Sequence, residues 1–265
     1  MTIQTLVSAL KQNTDSLPET MKLETDSIII NQCDNDSYRE TDYEGHRICI
    51  YDMNERGVGA SRNQALSKAT ADIILFSDED IVYESGYAER ILQEFEKRPD
   101  VQMLLFNVDV IEERRTYYTE EETKIGLLNC GRYPAYSFAC KREELLKRGI
   151  KYSLLFGGGA KYSNGEDSLF IQECIKKGMK IYALPVKIGK EVARPSTWFK
   201  GYTDKFFFDR GVLYTYMYGA LAFPMAIRFV IKMRAFAEHS FSQALGLMLK
   251  GMKEGRVSKR EKINS

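Results

Sequence analysis

Four short apolar runs limit what this chain can fold into. They are Ile3–Leu10, Ser27–Asn31, Arg47–Tyr51 and Asp72–Ser77. None alternates apolar with polar residues. Unalternated runs of Ile, Val and Leu suit strands buried on both faces, as in a parallel sheet. Between the third and fourth runs, Ala60–Ala71 has Ala65, Leu66 and Ala69 at helical spacing. Tyr87–Arg98 reads as a second amphipathic helix, closed by Pro99, and Val101–Ile111 as a longer strand. This rhythm predicts an α/β fold: a Rossmann-like, doubly wound, mostly parallel sheet with right-handed crossovers.

The remainder is less regular. Glu112–Lys124 is charged and predicts a solvated loop or edge ribbon. Lys141–Arg148 predicts a short helix stopped by Gly149, and Asp167–Lys177 a helix ended by Gly178. The glycine-rich loop Tyr152–Gly165 precedes that helix, and Lys180–Val186 reads as a strand. From Trp198 onward aromatic residues accumulate. Arg228–Ser265 carries nine Lys or Arg and three Glu, with Phe241, Ala244, Leu245, Met248 and Leu249 at helical spacing. Residues 1–210 are read as one domain, with halves of about 1–111 and 112–210. Residues 211–265 are read as a C-terminal helical, aromatic and basic extension.

Composition excludes several classes. With 265 residues, 12% aromatics and six prolines, the chain is neither disordered nor low in complexity. A net charge of +1 gives no basic field for nucleic acid, so no nucleic-acid partner is expected. Five cysteines (Cys33, Cys49, Cys130, Cys140, Cys174) show no CxxC spacing and predict reduced thiols in a cytoplasmic protein. Two distant histidines, His46 and His239, do not suggest zinc. Met1–Thr5 lacks the start of a signal peptide. The longest uncharged run, Gly211–Ile227, contains Pro224 and is short for a membrane span.

Three motifs carry chemistry. Asp78-Glu79-Asp80 ends the fourth run, and ligands of open α/β sheets bind beyond the carboxyl ends of strands. Three adjacent carboxylates repel unless a cation sits among them, and oxygen ligands favour Mg²⁺ or Mn²⁺. The alternative is a solvated acidic turn. Glu55–Asn63 holds Gly57 and Gly59 before a helix, with Arg56 and Arg62 placed to meet phosphate. Gly57-x-Gly59-x-x-Arg62 also approaches a dinucleotide fingerprint, but its third small residue is an arginine. Gly165-Glu166-Asp167 opens a helix after Gly157-Gly158-Gly159 and offers a general base. The plain alternative is capping of that helix by Asn164 or Asp167.

These pieces, in this order, resemble family 2 glycosyltransferases of the GT-A fold over roughly Ile3–Gly211. The resemblance rests on Val7-Ser8-Ala9, on Asn31-Gln32-Cys33-Asp34, on Gly57 to Asn63, and on the two acidic motifs. Phe156–Ala160 and Ser196–Phe199 look most like the bacterial branch that assembles capsule, O-antigen or exopolysaccharide. The resemblance implies an inverting, metal-dependent transfer of sugar from a nucleotide-sugar donor, UDP-linked, to a saccharide acceptor. It places Ser8, Ala9, Gln32, Asp34, Gly57, Arg62, Asn63, Asp78 and Glu79 at the donor. Asp80, with Asp78, would hold Mn²⁺ or Mg²⁺. Asp167 is the implied general base, with Glu166 second. Phe138, Gly158, Gly159 and Trp198 would shape the acceptor site. The third metal ligand has no counterpart, and Lys190 or Arg194 is left to meet the diphosphate.

The aromatic, basic tail suits either core packing or an anionic membrane surface. A lipid-linked saccharide acceptor and a peripheral position on the inner face of the cell membrane fit the second option. The competing functions are a nicotinamide-dependent oxidoreductase, a metal-dependent nucleotidyltransferase, and a non-catalytic carbohydrate- or membrane-binding module.

Overall fold

The structure is a computed structural model that describes residues 1–112, 115–192, 201–233 and 238–264. Along the chain the elements are β1 (Ile3–Leu10), α1 (Leu17–Met21), β2 (Asp26–Gln32), β3 (Ser37–Tyr43), β4 (His46–Met53) and α2 (Val58–Lys68). Next come β5 (Ile73–Asp78), β6 (Ile81–Tyr83), α3 (Tyr87–Lys97), β7 (Met103–Asp109), β8 (Thr123–Lys124) and β9 (Phe138–Lys141). The rest are α4 (Arg142–Lys147), α5 (Glu166–Lys176), β10 (Ile181–Glu191), α6 (Asp204–Tyr218), α7 (Ala222–Met233) and α8 (Phe241–Asn264).

All these strands join one mixed sheet in the order β3-β4-β2-β1-β5-β9-β7-β10-β6, with β8 paired to β10. The neighbours β4, β2, β1 and β5 run parallel. Their carboxyl ends therefore meet along one edge, where Leu10 lies opposite Gln32 and Ser8 opposite Asp78. The unalternated runs have the expected cause. Leu6, Ile28, Ile30, Ile74 and Phe76 enter a core beneath one face. Val7, Ile29, Ile73 and Leu75 enter a second core beneath the other. Helices cover both faces, as predicted for a doubly wound sheet. Each buried Leu, Ile or Phe stabilises by about 1.5–3 kcal/mol.

One strand was not legible in the sequence. Strand β3 is absent from the sequence reading, because Ser-Tyr-Arg-Glu-Thr-Asp-Tyr has no buried position. It is an edge strand, paired only to β4, and one solvated face removes the need for apolar residues. The segment between β1 and β2 holds only the five-residue α1, with Pro18 in its first turn.

The C-terminal extension folds back onto the first core. Ala244, Met248 and Met252 of α8 are buried there beside Phe207, Val212 and Leu213 of α6. Core packing therefore accounts for the apolar stripe of α8, except Phe241 and Leu249, which remain exposed. The two helices touch through glycines. A Cβ on Gly251 would lie 1.9 Å from the Phe208 carbonyl, and one on Gly211 would lie 2.1 Å from that of Met248. Among the described residues no helix is long and apolar enough to cross a membrane. Gly251→Ala should lose about 1–3 kcal/mol to overpacking, despite the better helix propensity of alanine. Thermal melts would show this as a fall of about 2–4 °C per kcal/mol. An unchanged melting temperature would mean that the helices do not approach this closely.

Candidate active site

The parallel strand ends assemble the predicted donor residues. Ser8 Oγ accepts a bond from Ser61 Oγ at 3.0 Å, which joins β1 to α2. Gln32 Oε1 accepts from the Gly57 N–H at 2.7 Å, so β2 fixes the turn ahead of α2. Gly57 has φ of +118°, a conformation that side chains resist. Asp34 is exposed and ion-paired to Lys11 at 2.8 Å and to Arg56. Lys11 is the main reason its carboxyl lies below the usual range, and Arg56 adds to it. Ala9 is buried beneath this edge. Asn63 bonds both backbone atoms of Tyr152, at 2.8 and 3.0 Å, and so pins the loop before the triple glycine. The Gly158 carbonyl accepts from the Val58 N–H at 2.9 Å, and Gly159 lies against Gly57. The glycine loop expected at the acceptor thus packs against the turn ahead of α2.

Arg62 departs most from expectation. It is only 3% exposed, so its guanidinium does not face solvent for phosphate. Nη1 donates to Asp167 Oδ1 at 2.7 Å, and Nη2 donates to Asp78 Oδ1 at 2.9 Å. Glu166 lies 3.6 Å away, and the Tyr152 ring lies beneath at 5.2 Å. Arg62 therefore bridges the two acidic motifs. Burial opposes its charge, but Asp167 and Asp78 outweigh burial and keep it protonated. One cation cannot offset three carboxylates, so the cluster also retains a proton near neutrality. Burial is the main reason the Asp167 carboxyl rises to about 7; Arg62 opposes the rise, and Glu166 and Asp78 add to it. Burial likewise raises Glu166, again against Arg62.

Helix capping does not explain the second acidic motif. Gly165 is the N-cap of α5, and no side chain caps that helix. Instead Asp167 Oδ2 accepts from the Ala135 N–H at 3.0 Å. The loop ahead of α5 is held from α6, where buried Asp209 accepts from the Ser163 N–H and hydroxyl at 2.9 and 2.8 Å.

The first acidic motif divides into separate roles. Glu79 Oε2 accepts from the Leu10 N–H at 2.6 Å, and Oε1 from Gln12 Nε2 at 2.9 Å. Asp80 has carboxylate neighbours. Burial raises it to about 7, and Asp78, Glu191 and Glu79 add to the rise. Glu191, at the end of β10 opposite Ile81, is the nearby acid that sequence reasoning missed. Its signal was weak, a single Glu between Lys190 and Val192. An all-oxygen set in which burial and neighbouring carboxylates disfavour the charge on Asp80 fits a hard divalent cation. Among the described residues no three side chains form a ready metal cage. The set therefore suits an ion shared between one or two carboxylates and substrate phosphate, as is usual for Mg²⁺.

One acceptor expectation changes. Phe138 is fully buried, with its ring stacked at 6.2 Å on Phe170, so it belongs to the core and not to a sugar-facing surface. Trp198 and Arg194 lie outside the described residues. Sequence reasoning also missed Tyr152, which stacks on Phe170 at 4.1 Å and floors the Arg62 cluster. A lone tyrosine ahead of a loop gives no signal by itself.

Two outcomes follow. Arg62→Ala removes the buried cation from three half-buried carboxylates and should cost about 2–4 kcal/mol in urea unfolding, somewhat less than a fully buried pair. A loss below about 1 kcal/mol would mean that the cluster is solvated. Asp80→Asn should stabilise the cation-free protein at pH 8. There the folded-state charge on Asp80 is the disfavoured form; the gain is full above about pH 7, shrinks as pH falls, and vanishes only below the ordinary Asp value of 3.8, where folded and unfolded chains are both protonated. The expected rise in melting temperature at pH 8 is about 2–4 °C, for about 1 kcal/mol. Equal melting temperatures at pH 8 would count against a crowded acidic site.

The geometry can be set beside known proteins. The family model "Glycosyl transferase family 2" matches residues 2–158. No curated protein matches the chain in sequence. The crystal structure of S. aureus TarS 1–349 in complex with UDP-GlcNAc superposes with a TM-score of 0.64 at 15% identity, covering 95% of this chain and 81% of that one. The same protein with UDP gives 0.63 at 15% identity, with the same coverage. The mannosyltransferase PcManGT from Pyrobaculum calidifontis, in complex with GDP-Man and Mn²⁺, gives 0.53 at 14% identity, covering 96% and 75%. These likenesses establish the α/β fold, and the family match spans more than half of the chain. The protein belongs to glycosyl transferase family 2.

Proposed function

We propose that this protein is a metal-dependent, inverting glycosyltransferase. It moves a sugar from a nucleotide-sugar donor, UDP-linked, to a saccharide acceptor carried on a lipid, in surface polysaccharide assembly. The observation that carries the reading is Asp167. It is a carboxylate raised to about 7 by burial and held through Arg62 at a fixed position relative to Asp78. A general base works best with a pKa near the working pH. The UDP and UDP-GlcNAc bound by TarS support a uridine donor. The GDP-Man bound by PcManGT keeps a guanosine donor as the second choice.

The chain's residues take the following roles. Ser8, Gln32 and Asp34 line the strand ends that receive the nucleoside. Gly57, pinned by Gln32, lets the backbone approach the donor. Asp78 and Glu79 orient ribose or sugar hydroxyls. Asp80, with Asp78, would hold the divalent ion, which would offset the charge growing on the diphosphate leaving group. Asp167 accepts the proton of the acceptor hydroxyl as that oxygen bonds the anomeric carbon and the bond to diphosphate breaks. Attack opposite the leaving group inverts the anomeric centre. The Ala135 N–H and Arg62 hold the carboxylate in place throughout, and Glu166 is the reserve base.

A panel of UDP, GDP, CMP, NAD and UDP-sugars, each with and without Mn²⁺, tests the donor assignment by thermal shift. Stabilisation by UDP that needs Mn²⁺ is expected. Stabilisation by NAD alone would overturn the assignment. Asp167→Asn should lower kcat by about 10²–10⁴-fold, the range for a lost general base, while the shift produced by the donor persists. For the parent enzyme, kcat should rise with pH to a plateau above about 7, because the base acts only when ionised. The same pH profile in Asp167→Asn would remove Asp167 from the role.

A further inference from the structure

Helix α7 carries a face that neither core nor site uses. Its buried side is Ala222, Ala226 and Val230, spaced four residues apart and packed into the first core. Its outward side is apolar along one edge: Phe223 is 46% exposed and Ile231 61%, with Ile227 between them. Leu221, 62% exposed, lies just ahead of the helix. The other edge of the same side is basic, with Arg228 and Lys232 exposed. No Asp or Glu occurs between Asp209 and Glu238. Beneath α7, Arg210 of α6 lies between the rings of Phe206 and Phe229, at 5.1 Å from each. Among the described residues no carboxylate neutralises it.

We infer that α7 lies in the plane of an anionic bilayer. Phe223, Ile227 and Ile231 would enter the headgroup boundary, and Arg228 and Lys232 would pair with lipid phosphate. A helix with one packed face and an exposed apolar face rimmed by cations is the pattern of an interfacial helix. The charge is what selects lipid over a second copy of the chain. An isologous contact would set each basic edge against the same surface of its partner, with no acid within α7 to answer it. Helix α8 buries Ala244, Met248 and Met252 against α6 and leaves Phe241, Leu249 and Val257 exposed, but it also carries Glu254, whereas α7 has no acid, so the assignment falls on α7.

The position suits the proposed chemistry. Helix α7 rests on α6, and Leu213 of α6 packs against Gly165 at the start of α5, beside Asp167. Two helix spacings of about 8–10 Å separate such a surface from the base. A saccharide on a lipid anchor would then reach the site from the side where the protein is docked. This last step rests on the transferase reading; the docking itself does not.

Sedimentation of the full chain with vesicles, without donor or acceptor, tests the docking alone. Phosphatidylcholine vesicles are compared with vesicles containing phosphatidylglycerol. The parent should pellet with the anionic vesicles only. Arg228→Gln with Lys232→Gln should weaken this about 30-fold, at about 1 kcal/mol per cation. Phe223→Ser with Ile231→Ser should weaken it about tenfold or more, with the melting temperature retained because both side chains are exposed. A parent that stays in the supernatant would overturn the inference, as would pair variants that pellet like the parent. A dimer that dissociates in Phe223→Ser/Ile231→Ser, with no pelleting by the parent, would reassign the face to self-association.

Discussion

Arg62 sits 3% exposed among Asp78, Glu166 and Asp167. These groups come from α2, the end of β5 and the start of α5, and Asp167 lies 105 positions from Arg62 in the chain. A buried cation with three carboxylate neighbours ties those elements together, because losing any partner leaves uncompensated charge in a low-dielectric setting. Much else serves to keep it in place. Asn63 pins Tyr152 beneath the guanidinium, and Phe170 supports Tyr152 from below. Asp209 on α6 fixes the loop ahead of α5. The carboxyl ends of the parallel strands deliver Asp78 to the same point.

The excess negative charge is a structural liability to which the proposed transfer gives a chemical use. Three acids around one cation hold a proton near neutrality, which places Asp167 where a base can both take and release one. A second imbalance, at Asp80 with Asp78 and Glu191, is the kind that a divalent ion and a diphosphate would offset. Arg62 separates the two imbalances. It touches Asp78 with one nitrogen and Asp167 with the other, and so sets their spacing. Active sites commonly retain such destabilising arrangements because function needs them.

The C-terminal helices show how one composition takes two placements in the fold. Aromatic and basic residues of this region looked like either core or membrane surface in sequence. In the fold α8 packs into the core through glycine contacts with α6, and α7 keeps an apolar and basic side outward. Helical spacing cannot separate those outcomes, because both need one apolar stripe. Which stripe is covered depends on where small residues such as Gly211 and Gly251 let two backbones meet.

The linear sequence determined the parallel strands, since burial on both faces demands unbroken runs such as Ile28-Ile29-Ile30. It also displayed both acidic motifs and the glycine turn, because clustered carboxylates and glycines at element ends stand out against the apolar runs. It did not disclose β3, whose solvated edge needs no apolar pattern. It could not show that Phe138 faces the core, nor that Glu191 approaches Asp80, for both depend on pairings across the sheet. Above all it read Arg62 as a phosphate ligand. Only the tertiary structure turned that arginine inward, because the segments holding Asp78 and Asp167 meet over α2, and a buried guanidinium needs carboxylate partners in place of solvent.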